Sequence, residues 1–194
     1  MKDSGGLLEA LDRGAYDKTI SVLYGAERDT IAAALARVRG AAEAFHVHFA
    51  TLGKEAALFS APGRTEIGGN HTDHQHGHVL CAGVNLDVLA CAAPNGTDTV
   101  HIISEGYPEL KLSLSSLLPQ KRERNTSAAL VRGVAAKVRE LGYPVHGFDA
   151  YITSEILSGP GLSSSAAYEV LLGTVINHFF CDGKLDAVTL AKIG

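Results

Sequence analysis

The sequence has no tryptophan, one methionine and three cysteines among 194 residues. Cys81, Cys91 and Cys181 form no Cys-x-x-Cys pair, and an odd number without framework spacing excludes a disulfide scaffold and points to a reducing compartment. Cys81 and Cys91 lie in apolar runs and are expected to be small buried residues. Basic residues are not in excess: 17 Lys and Arg stand against 21 Asp and Glu, for a net charge of −4. That balance gives no general attraction to nucleic acid or to an anionic membrane, so any polyanion must be held by a local site. No apolar run approaches the length of a membrane span. The N-terminus, MKDSGGLLEALDRG, has acids where a signal peptide needs basic residues and then a continuous apolar stretch. The expectation is a cytoplasmic protein with no membrane or nucleic-acid partner.

What is present is the composition of a soluble globular chain, 46% hydrophobic and 20% charged, without repeats or low-complexity segments. The first fifty residues read as helical: Leu7, Leu8 and Leu11 form one patch, and Ile31, Ala34, Leu35 and Val38 recur at helical spacing before Gly40. From Ala56 the texture changes. AALFSAP, HVLCAGVNLDVLACAAP, TVHIIS and KLSLSS read as strands, with a strong turn at Pro94–Asp98 between the second and third. Lys121–Arg124 reads as an exposed polar connection. Asn125 or Thr126 can cap a helix whose Leu130, Val131, Val134, Val138 and Leu141 share a face, and Gly142 followed by Tyr143-Pro144 stops it. GFDAYITSEIL is a further strand, and Ala166 to Phe180 a largely buried helix. Strands and helices do not alternate regularly, which predicts an α+β mixed or antiparallel sheet with helices packed on it.

Two segments carry chemistry. In the first, GPGLSSSAA at Gly159–Ala167, Gly159 and Gly161 allow close backbone approach. Ser163, Ser164 and Ser165 offer hydroxyls where a helix begins with unpaired N–H groups, and such a terminus attracts phosphate. A serine hydroxyl there can also ligate Mg²⁺. The segment is neither a Walker loop nor a GxGxxG turn, and by itself it is equally a Ser-capped helix after a Gly-Pro turn.

The second segment, APGRTEIGGNHTDHQHGH at Ala61–His78, is a Gly-punctuated stretch between two strands, densely polar from Arg64 to His78. Arg64, Asn70, His71 and Asp73 can exchange hydrogen bonds with a polyhydroxy ligand, and an aspartate beside an imidazole is a common grip on a sugar. A zinc site built from His71, His74, His76 and His78 is disfavoured, since no cysteine joins the cluster and the spacing matches no standard site. His74, His76 and His78 are expected to be exposed.

Together the two segments resemble a family. APGRTEIGGNHTDHQHG is similar to the galactokinase signature, usually APGRVNLIGEHTDYNGG, and GPGLSSSAA resembles the nucleotide loop of the wider GHMP kinases. The order agrees, sugar motif first, and the Leu130–Val134 element also looks like that family. The resemblance begins near Phe45. It implies a GHMP-kinase-like N-terminal domain over 45–194, with ATP and Mg²⁺ as cofactors, and leaves 1–44 as a helical N-terminal extension without a match. The activity it implies is transfer of the γ-phosphoryl group of ATP to the anomeric hydroxyl of galactose. Gly159, Pro160, Gly161, Leu162, Ser163, Ser164, Ser165 and Ala166 would hold the phosphates, with Ser165 on Mg²⁺. Arg64 would touch the substrate and stabilise the transferring phosphoryl. Asn70, His71 and Asp73 would bind sugar hydroxyls.

The chain also departs from the pattern. Asn70 stands where the family usually has glutamate, and Glu66 where it usually has asparagine. Galactokinases are longer, with a second domain and a catalytic aspartate in a Met-Asp-Gln motif, and the only methionine here is Met1. The implied C-terminal domain is absent from this chain, which is therefore expected to be inactive alone. Two alternatives stay open: a related kinase for arabinose, a uronic acid or an N-acetylhexosamine, and a non-catalytic sugar sensor.

Overall fold

The computed structural model describes residues 3–49, 55–69, 77–156 and 162–194. Three helices, α1 (Ser4–Asp12), α2 (Asp17–Tyr24) and α3 (Arg28–Phe49), precede the long strands β1 (Ala57–Gly68) and β2 (Leu80–Pro94). Then come β3 (Thr99–Ser104), β4 (Leu110–Ser113), α4 (Ser127–Glu140), β5 (Phe148–Ser154), α5 (Ser164–Phe180) and α6 (Ala187–Ile193). The strands form one sheet in the order β1-β2-β5-β3-β4. Its neighbours are antiparallel except β3 and β5, which run parallel, so the sheet is mixed and the fold α+β.

The unbroken apolar run in β2 has a physical reason: both of its faces are covered. Val88, Ala90 and Ala92 join one core with Phe148, Ala150 and Ile152 of β5 and with helices α4 and α5. Leu89, Cys91 and Ala93 point the other way, into a second core with Leu7, Leu11, Ile20, Val38 and Phe45 of the first three helices. Period-two alternation thus feeds two apolar layers rather than one apolar and one wet face.

Three expectations need correction, and one helix runs on past a glycine. Cys91 and Cys181 are buried, but Cys81 is exposed, because it lies in the outer half of β2. Helix α3, in the stretch read as helical, runs straight through Gly40. It continues to Phe49, since Gly40 is exposed while Ala41, Ala42 and Phe45 extend the buried stripe. One exposed helical glycine costs only about 1 kcal/mol against alanine. Leu141 leaves the shared face of α4: it is the C-cap, 49% exposed, and Gly142 follows at φ +86°. Thr126 is the N-cap residue of α4 as expected, but its hydroxyl donates to the Glu123 carbonyl at 2.6 Å and makes no capping bond.

Lys121–Arg124 is not wholly a solvated connection either. The Glu123 carboxylate accepts from Arg132 Nε (2.6 Å) and Nη2 (2.7 Å), and Arg132 also donates to the Ser116 carbonyl. Arg132 is only 5% exposed. Replacing it with methionine strands a carboxylate in a covered pair and should cost roughly 3 kcal/mol in urea unfolding at neutral pH. Arg132 also holds the Glu123 carboxyl below the usual carboxylate range. A depressed acid stabilises the fold above its unfolded pKa and ceases to do so as pH falls through the folded one. The difference between Arg132→Met and the parent should therefore shrink in acid, and an equal difference at acid and neutral pH would refute this role for the pair. Among the described residues, no helix is long and apolar enough to cross a membrane.

Candidate phosphate and sugar site

The stretch from Arg64 onward does not begin as a loop. β1 continues through Arg64 to Gly68, paired with β2, and the chain leaves the strand only at Gly69, φ +122°. The pairing shifts between Pro62 and Arg64: Pro62 faces Asp87 while Arg64 faces Gly83. Bulges of this kind re-aim side chains and are frequent beside functional sites.

At that shift the strand meets the start of α5. A Cβ on Gly63 would lie 3.1 Å from the Leu162 carbonyl oxygen, 3.1 Å from Ile156 Cδ1 and 3.2 Å from Val84 Cγ2. Only the missing side chain lets the backbone before α5 sit so close to β1. The Arg64 N–H donates to the Leu162 carbonyl (3.3 Å), and Arg64 Nε donates to Ser163 Oγ (3.2 Å). Residues far apart in sequence are thereby joined at one place.

Ser163 is the N-cap residue of α5, but it is not an ordinary serine cap. Its backbone is left-handed (φ 54°, ψ 51°), and its side chain makes no capping bond to the helix. The hydroxyl accepts from Arg64 instead. The first turn-closing bond of α5 runs from Ala167 N–H to the Ser163 carbonyl at 3.0 Å, so the N–H groups of Ser164, Ser165 and Ala166 precede it. Ser165 is exposed, and Ser164 and Ala166 are half-buried. The left-handed conformation costs a non-glycine residue about 1 kcal/mol or more. Ser163→Gly should therefore be more stable than Ser163→Ala by about 1 kcal/mol, although both lose the hydroxyl. Equal melting temperatures for the two variants would contradict a strained Ser163.

A cleft of about 610 Å³ opens beside this helix start. Ser164, Ser165 and Tyr168 of α5 form one side, Asn125 to Ser127 and Leu130 at the start of α4 another. Tyr107, Pro108 and Leu110 close it from the β3–β4 connection, and Ile152 to Ser154 form its floor. Burial raises the Tyr168 phenol above its usual range, so it stays neutral. Thr153 Oγ1 donates to Glu105 Oε2 at 2.6 Å on the cleft wall. None of Glu105, Tyr107, Thr153 or Tyr168 belongs to either motif. The one sequence signal for this wall is the Glu-Gly-Tyr-Pro turn at 105–108, which by composition is an ordinary connection.

The structure thus brings together Arg64, Leu162, Ser163, Ser164, Ser165 and Ala166. Asn70, His71, Asp73, His74, His76, Gly159, Pro160 and Gly161 lie outside the described residues. His78 is exposed and in no helix or strand. Among the described residues, no group of three or more His, Cys, Asp or Glu is placed to hold a metal ion.

The galactokinase galactose-binding signature matches residues 43–94, and the GHMP kinases N terminal domain matches residues 129–194. A galactokinase from Clostridium tetani is 36% identical over 135 residues, which are 70% of this chain and 34% of that protein. The crystal structure of Lactococcus lactis galactokinase complexed with galactose superposes with a TM-score of 0.70 at 27% identity, covering 78% of this chain and 39% of that one. The mevalonate kinase of Methanococcus jannaschii shares the fold, with a TM-score of 0.60 at 17% identity over 72% of this chain and 44% of that one. The chain spans about a third of the length of the C. tetani relative it matches.

Proposed function

Because the chain belongs to the GHMP kinase family and matches the N-terminal portion of its galactokinases, we propose that it supplies the sugar- and ATP-binding part of a cytoplasmic galactokinase. The observation that carries this reading is the joining of Arg64 to Leu162 and Ser163 at the start of α5. It ties the Arg64 guanidinium to a helix start whose next two residues, Ser164 and Ser165, line the cleft. The binding domain is assigned to 45–194 and the helical extension to 1–44, although α3 runs unbroken across that boundary to Phe49 and packs with the earlier helices on the sheet. The partners are ATP and a small sugar, not nucleic acid or a membrane.

The donor set fits a triphosphate. The N–H groups of Ser164 to Ala166 would meet phosphate oxygens, the resemblance adds Gly159 to Ser163 to the same role, and the cleft would take the nucleoside. Ser165 is the hydroxyl of this chain that would reach Mg²⁺, which neutralises phosphate charge when bound. Asn70, His71 and Asp73 would bind the sugar hydroxyls, and transfer requires the anomeric oxygen in line with the γ-phosphorus. That oxygen forms the new P–O bond, the bond to the β–γ bridging oxygen breaks, and ADP leaves. Arg64 stabilises the charge spread over the transferring oxygens. The hydroxyl proton would go to the aspartate base of the family's Met-Asp-Gln motif.

The test is a panel of sugars with Mg·ATP on the product of the complete reading frame. Galactose is expected to give galactose 1-phosphate. Turnover of another sugar in its place would overturn the substrate, and Asn70, neutral where the family usually has a carboxylate, is the residue that would then account for it. Sugar binding without turnover of any member would leave a sensor.

A further inference from the structure

The polar group at one end of the second core has no part in the site described so far. Asp87 lies in β2 at 2% exposure. Its carboxylate accepts from the Tyr24 hydroxyl (2.6 Å), from Arg37 Nη2 and from the Ser60 hydroxyl. Tyr24 ends α2 and Arg37 lies within α3, and Arg37 Nη2 also donates to the Tyr24 oxygen at 3.1 Å. One buried carboxylate therefore ties two N-terminal helices to the sheet.

The same residue reaches the phosphate side through its main chain. The Asp87 carbonyl accepts the Glu155 N–H at 3.1 Å, and Arg37 Nη2 lies 3.6 Å from Glu155 Oε2. Glu155 is the first residue after β5, and the next, Ile156, packs against Gly63 beside the Leu162 carbonyl. Stability alone is a poor reason for this arrangement. Apolar side chains already hold the helices to the sheet, and a buried ion pair often does no better than an apolar pair of similar size. Arg37 Nη1 is moreover buried with no hydrogen-bond partner among the described residues. What an apolar pair cannot do is fix the direction of the Asp87 backbone and attract the Glu155 carboxylate.

We propose that Arg37 and Tyr24 are positioning residues for the phosphate loop, acting through Asp87 on Glu155 at the strand end that leads into it. The proposal rests on the nucleotide reading above, but its first readout does not need a ligand. Hydrogen exchange is followed in Arg37→Met, Arg37→Lys and Tyr24→Phe, with Leu7→Ala as a control that loosens the same helices without touching Asp87. In Arg37→Met, the hydrogen-bonded amides of Glu155, Ile156, Arg64 and Ala167 should exchange about tenfold faster while those of α4 do not change. Arg37→Lys should recover part of the protection, Tyr24→Phe should show a smaller acceleration at the same amides, and Leu7→Ala should show none there. The affinity for Mg·AMP-PNP should follow the same order, with about a tenfold loss in Arg37→Met. Faster exchange confined to the first three helices, or equal acceleration in Leu7→Ala, overturns the proposal. Should Arg37→Met not fold, Tyr24→Phe decides by the same amides. A parent chain that binds no AMP-PNP sinks the nucleotide reading, and the exchange result still judges the coupling.

Discussion

Arg64→Met, made in the product of the complete reading frame, should lower kcat for sugar phosphorylation by about 10³-fold while changing the melting temperature little. The small stability effect follows from exposure: Arg64 lies on the open side of β1, and its side-chain bond to Ser163 is exposed. The large catalytic effect follows from what phosphoryl transfer requires. There is little covalent work for the protein to do, and the barrier is lowered by placing positive charge where the transferring oxygens gain negative charge. One such donor contributes about 10²- to 10³-fold in kcat, and an arginine on a phosphoryl group often more. Because the contribution belongs to the transition state, KM for ATP should rise far less than kcat falls. Arg64→Lys should recover only part, since an ammonium keeps the charge but not the planar fork. A loss below tenfold, or one carried wholly by KM, would remove Arg64 from the charge-stabilising role.

Much of this fold is readable from the residues, and the failures share a cause. The strands announce themselves through Val, Ile and Leu runs, and the turn at Pro94–Asp98 falls where β2 ends and β3 begins. Where local propensity and tertiary cover disagree, cover decides. Gly40 is a weak local break, yet the second core continues across it and α3 follows. Cys81 sits in a run as apolar as that around Cys91, but the helices cover only the inner half of β2. Arg64 to Gly68 have the composition of a loop and are held as a strand by pairing with β2.

The site is legible to a different degree. Each motif taken by residue type allows a bland reading, and only their resemblance to one family joins them in advance. Nothing in the spacing says that Arg64 meets Ser163, or that Ser163 gives up capping to accept from it. The cleft is less visible still. Its walls come from β5, the β3–β4 connection and the starts of α4 and α5, and no short window of sequence contains them. Likewise Tyr24 and Arg37 lie in helices whose charged positions look like a solvated face, and only the three-dimensional placement of Asp87 gives them a partner.

Gly63→Val should abolish Mg·AMP-PNP binding by this chain, a loss of at least 30-fold, and should cost about 2 kcal/mol of stability. The first effect comes from the loop. A Cβ at 63 already falls 3.1 Å from the Leu162 carbonyl oxygen, which is backbone and cannot rotate away like a side-chain tip. Valine adds two methyl groups beyond that point, and the least costly response is for the backbone at Leu162 to move outward. That movement breaks the Arg64 N–H bond to Leu162, carries Ser163 away from Arg64 Nε, and turns the first N–H groups of α5 from the phosphates. Val84 and Ile156 can yield by rotation, so Gly63→Ala should fall between valine and the parent. The pair of variants separates local packing from loop placement. If valine weakens stability but leaves nucleotide affinity within threefold of the parent, the contact between β1 and Leu162 does not set the phosphate site.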